Sequence, residues 1–75
     1  MAYHQLGNIA LKQRDFAGAG TWYHKSLAIT EKVGDKHGAA LTCHQLGVSA
    51  EQKRDFASAE AWYSKSLAMK LLLGD

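Results

Sequence analysis

The sequence predicts an all-α fold made of two helical hairpins packed side by side. Three observations carry that expectation. The chain repeats itself: Arg14-Asp15-Phe16-Ala17-x-Ala19-x-x-Trp22-Tyr23-x-Lys25-Ser26-Leu27-Ala28 returns forty positions later as Arg54-Asp55-Phe56-Ala57-x-Ala59-x-x-Trp62-Tyr63-x-Lys65-Ser66-Leu67-Ala68. His4-Gln5-Leu6-Gly7 returns at the same step as His44-Gln45-Leu46-Gly47, and about half of positions 1–35 recur unchanged in 41–75. A fixed period of about 20–50 residues is the mark of a stacked repeat array. Within each copy, apolar residues follow a 3.6-residue period. Finally, the chain has no proline and no β-type alternation.

In order along the chain, the first helix is expected over about 2–13. Tyr3, Leu6, Gly7 and Ala10 fall at i, i+3, i+4 and i+7 and make one apolar stripe. Gly7 in mid-helix costs about 1 kcal/mol relative to Ala, so a neighbour is expected close against its bare Cα. Asp15 is the N-cap of the second helix, about 16–33, worth about 1 kcal/mol. In that helix Phe16, Ala19, Tyr23 and Leu27 are expected to face the first helix, which a short link makes an antiparallel neighbour. Trp22, Ser26, Ile29 and Val33 form a second apolar edge. A helix with two such edges needs two partners, as in a stack, and Trp22 is expected under the third helix.

Gly34 and Asp35 supply a C′ glycine and the next N-cap. The third helix then runs over about 36–53 with the stripe Cys43, Leu46, Gly47 and Ala50. Asp55 caps the fourth, about 56–73. Gly74-Asp75 repeats the Gly34-Asp35 junction, while the first helix lacks counterparts of Lys36 to Ala40. Both ends therefore read as cut from a longer array. The whole of 1–75 is taken as one domain, with unit 1 at about 1–34, truncated at its first helix, and unit 2 at about 35–75.

Seventy-five residues sit near the size where a core alone supplies about 3–5 kcal/mol. A net charge of +2 and an apolar share of 47% argue against disorder and give no basis for a nucleic-acid or membrane partner. There is no signal peptide and no apolar run long enough to span a bilayer, and the single cysteine forms no internal disulfide. The expected setting is the reducing cytoplasm.

Tyr3-x-x-Leu6-Gly7-x-x-Ala10 … Ala19-x-x-x-Tyr23, and again Cys43-x-x-Leu46-Gly47-x-x-Ala50 … Ala59-x-x-x-Tyr63, resemble the tetratricopeptide repeat. The resemblance covers essentially the whole chain. It departs from the usual pattern in lacking the closing proline and in stepping by 40 rather than about 34 residues, which is similar to an extended subclass. The resemblance implies αα-hairpins stacked in a right-handed superhelix and a scaffold that binds a protein or peptide partner. The groove of such a scaffold is lined by the first helix of each unit. Carried onto this sequence, the groove positions are Met1, His4, Gln5, Asn8, Leu11 and Lys12, then Leu41, His44, Gln45, Val48, Glu51 and Gln52. Asn8 is the leading ligand contact, as a donor to a peptide backbone or terminal carboxylate. Val48 replaces it in unit 2, and histidines stand where a carboxylate-clamp subtype carries lysine. The alternative function is a structural spacer or self-assembling unit with no groove ligand.

The remaining chemistry-bearing residues read as structural. His4 and His44 lie on different helices and fall short of the about four ligands a closed zinc site takes. Cys43 reads as a buried small hydrophobe. No nucleophile–base constellation or phosphate loop is present, so no catalysis and no cofactor is expected. Trp62, Met69, Leu72 and Leu73 are expected to leave an apolar edge open at the C-terminal end, where copies of the chain would associate.

Overall fold

Every link between helices is the same short device. The structure, a computed structural model, describes residues 2–72 and contains α1 (Ala2–Lys12), α2 (Phe16–Val33), α3 (Lys36–Gln52) and α4 (Phe56–Leu72). After α1, α2 and α3 one residue turns into the left-handed region: Arg14 (φ 60°), Gly34 (φ 76°) and Arg54 (φ 68°). The N–H of Arg14 donates to Leu11 O at 3.0 Å and that of Asp15 to Ala10 O at 2.8 Å. The same pair forms from Gly34 to Glu31 O and Asp35 to Thr30 O, and from Arg54 to Glu51 O and Asp55 to Ala50 O. This is the Schellman closure, which satisfies the last carbonyls of a helix.

Each aspartate then works forward. Asp15 accepts from the N–H of Gly18 at 3.0 Å, Asp35 from Gly38 at 2.9 Å and Asp55 from Ser58 at 3.3 Å. One residue thus closes the helix behind it and caps the helix ahead. The hydrogen bonds from Ser58 hold the Asp55 carboxyl below the usual carboxylate range. Only Gly34 of the three turn residues is free of a Cβ penalty in this conformation; Arg14 and Arg54 carry it.

The helices pack in chain order, α1 on α2, α2 on α3 and α3 on α4, into a slab of 33 × 26 × 16 Å. The core cluster is Ala10, Ala19, Tyr23, Leu27, Ala39, Cys43 and Leu46. It draws on the first three helices, and its small residues allow close backbone approach. A Cβ on Gly7 would fall 2.5 Å from Tyr23 Cε1, and one on Gly47 2.6 Å from Tyr63 Cδ1. The mid-helix glycines therefore exist to seat a tyrosine ring from the next helix. Cys43 is fully buried, and burial raises its thiol above the ordinary range.

Three packing expectations are corrected. Leu6 lies on the apolar stripe of α1 yet is 37% exposed, whereas Leu46 is 5% exposed; among the described residues α3 is flanked by α2 and α4, while the main packing partner of α1 is α2. Trp22 is half-buried against the core cluster, and the ring stacked on it is that of Tyr3 of α1, at 5.6 Å. Trp62 shows which way this edge points, for it meets His24 of α2 edge-on at 5.6 Å. The indole edge faces the preceding hairpin, not the following one. Consequently Trp62 and Met69 are half-buried against the core cluster and do not form an outward edge. Leu72 is exposed; Met1, Leu73 and the Gly74-Asp75 junction lie outside the described residues.

Candidate protein-interaction surface

The first surface of interest lies where α1 runs beside α3. α1 is described over 11 residues and α3 over 17. In the second hairpin the extra turns of α3 cover the end of α4: Ser66 Oγ donates to Ala40 O at 2.8 Å, and Met69 shares a recess with Lys36 and Ala39. In the first hairpin the equivalent residues of α2, Ser26 and Ile29, border a cleft of about 370 Å³ instead. Its walls include His4 and Gln5 of α1 and Leu41 and Thr42 of α3, and Ile29 and Val33 lie between them. Ile29, Val33 and Leu41 are all exposed, so the cleft has an apolar floor and polar rims.

Two tyrosines fix the polar residues nearby. Tyr23 OH donates to Asn8 Oδ1 at 2.5 Å, and Tyr63 OH donates to a carboxylate oxygen of Glu51 at 2.7 Å. Position 8 corresponds to Val48 and position 51 to Leu11, neither of which can accept. The repeat has moved the acceptor by about one helical turn between its copies, always on the helix before the tyrosine. A buried phenol without a partner would cost about 1–3 kcal/mol. With its carbonyl oxygen committed, the remaining polarity of Asn8 is that of its amide N–H donors. His4 lies tilted over Tyr23 at 5.6 Å and His44 over Tyr63 at 5.3 Å. Burial holds the His4 imidazole below its usual range, hence neutral at pH 7.

The expected groove residues divide between two places. His4, Gln5 and Leu41 edge the α1–α3 cleft. His44 and Glu51 instead border a recess with Tyr63, Leu67 and Lys70 on the other flank of α3. Leu11 is half-buried against the core, Gln45 and Val48 are half-buried, and Lys12 and Gln52 are exposed. Ile29 and Val33 were missed as surface contributors because their stripe pattern matches an edge covered by a neighbour. The signal that could have found them was the missing counterpart of Lys36 to Ala40. Among the described residues no group of three or more His, Cys, Asp or Glu could hold a metal ion, and no helix is long and apolar enough to cross a membrane.

Two helical hairpins, each with a glycine receiving a tyrosine from its second helix, are the arrangement to compare with known families. The family model described as Tetratricopeptide repeat matches residues 1–71. The chain belongs to the tetratricopeptide repeat family. No curated protein and no solved structure matched it. Tetratricopeptide repeats are a non-enzymatic scaffold fold that generally mediates protein–protein interaction and binds protein partners.

Proposed function

We propose that this tetratricopeptide repeat protein binds a peptide segment of a partner protein in the cleft between α1 and α3. The observation that carries the reading is the juxtaposition of exposed Ile29, Val33 and Leu41 with the polar His4 and Gln5 at one opening. An apolar floor takes one or two apolar side chains of the ligand, and polar rims bond its backbone. Asn8, one turn further along α1 from His4 and outside the cleft lining, offers amide donors to a peptide carbonyl or terminal carboxylate of a ligand that extends past the opening. His4 is neutral at pH 7 and Asp35 is the single charged side chain in the lining, which favours a ligand selected by apolar fit rather than by a cluster of charge.

The test is fluorescence anisotropy with a labelled peptide library on the 75-residue chain. Saturable binding is expected, weakened about tenfold or more (about 1.4 kcal/mol) by Leu41→Ser and by Gln5→Ala. Both residues have exposed or half-exposed side chains, so these variants keep the wild-type thermal midpoint. Asn8→Ala also weakens binding, but it strands Tyr23 OH and must be compared at matched stability. Binding left unchanged by Leu41→Ser and Gln5→Ala would remove this cleft as the site, and no saturable ligand in the library would favour a structural role.

A further inference from the structure

We infer that the outer face of α4 is a docking surface for α1 of a second copy of this chain, joined head to tail. The chain itself shows what covers that face. In the first hairpin, Tyr23 and Leu27 on α2 are buried in one cluster with Ala39, Cys43 and Leu46 of α3. Forty residues on, Tyr63 is half-buried and Leu67 is 58% exposed, because no further helix lies over α4 among the described residues. The occupant this face fits is therefore a helix with the pattern of α3. A second copy carries its nearest match in α1, where Leu6 repeats Leu46 and Tyr3 stands at the place of Cys43.

The substitutions between the copies are compatible with that joint. On α1, Tyr3 and Ile9 replace the buried Cys43 and Ser49, and Ile9 is exposed in the single chain. Ser49 borders Phe16 and Gly20 of α2, so Ile9 adds apolar area to the side that would be covered, while Tyr3 is stacked on Trp22 of its own chain. On α4, Ser64 replaces His24, the residue against which Trp62 packs inside the chain. A neighbouring Trp22, already stacked with Tyr3, would meet the smaller serine. Glu60 replaces Gly20, but nothing lies within 4 Å of a Cβ placed at Gly20, so the equivalent position in the joint has room. The contact follows the α2–α3 packing only from the Cys43 position onward, since α1 has no counterpart of Lys36 to Ala40. It is heterologous, so each addition leaves one α1 face and one α4 face open.

Sedimentation velocity over a concentration series tests this. The wild-type chain is expected to grow in mass with concentration without stopping at a dimer. Leu67→Glu and Leu6→Glu, both at exposed positions, should each stay folded by circular dichroism and each weaken association at least about tenfold. Mixed together, they should form a one-to-one heterodimer that grows no further, because the Leu6→Glu chain keeps its α4 face and the Leu67→Glu chain keeps its α1 face. A wild-type chain that stays monomeric throughout would overturn the inference. So would a Leu6→Glu chain that still dimerises alone, which would indicate closed α4-to-α4 pairing.

Discussion

Leu27 and Leu67 occupy the same place in two copies of one motif, Trp-Tyr-x-Lys-Ser-Leu-Ala. Leu27 is 6% exposed and Leu67 is 58% exposed. Nothing local separates them, since both sit on regular helices behind an aspartate cap. The difference is α3, which lies over α2, while no described helix lies over α4. Leu46 and Leu6 show the same contrast at the other end of the stack. Burial in this fold is a property of position in the array, so identical residues carry unequal shares of the stability.

That comparison can be broken most directly at the leucines. Leu27→Ala should cost about 2–4 kcal/mol, as a buried large-to-small change does, which is most of what a domain this size has. Leu67→Ala should cost under about 1 kcal/mol, because its side chain is already largely in water. Urea unfolding of the two variants checks this, and equal losses would show that α4 is covered in solution.

A smaller contrast is expected at the glycines. Gly7→Ala drives a methyl group into a fully buried Tyr23, which has nowhere to move. The clash, about 1–3 kcal/mol, should outweigh the about 1 kcal/mol of helix propensity gained and leave a net loss of up to about 2 kcal/mol. At Gly47 the same methyl meets the half-exposed Tyr63, which can swing outward. Gly47→Ala should therefore lower the thermal midpoint less than Gly7→Ala does.

The least effect is one of pH. Burial, then the hydrogen bond to Glu51 and its negative charge, push the Tyr63 phenol up to about 12, and burial also raises Tyr23. A raised phenol binds its proton more tightly folded than unfolded. Its contribution to stability is thus complete below the unfolded value of about 10 and is lost as pH rises from there toward about 12. Glu51→Gln keeps an acceptor but removes the charge, so ultraviolet titration should show one tyrosine ionising at lower pH. An unchanged titration would mean that the Glu51 contact is not formed in solution.

Much of the fold was legible because its signals are local. The apolar period marks each helix, and Asp15, Asp35 and Asp55 mark each start. Gly7 announced a close neighbour through its own cost. The direction of the two apolar edges of α2 was not legible. Trp22 and Leu27 lie on adjoining faces of one helix, and sequence spacing does not distinguish a preceding neighbour from a following one. The tyrosine acceptors were hidden differently: Asn8 and Glu51 occupy different positions in the two copies, and each looks like an isolated departure from the repeat.

The sequence by itself determined the helices, their short turns and the doubling, since these depend on backbone preferences and on residues within a turn or two of one another. Only the tertiary structure decided which face looks forward along the stack, where the cleft opens and which copy of each leucine is dry. Those outcomes depend on which helices pack against each face, and α3 over α2 with no described helix over α4 gives the same motif two different surroundings.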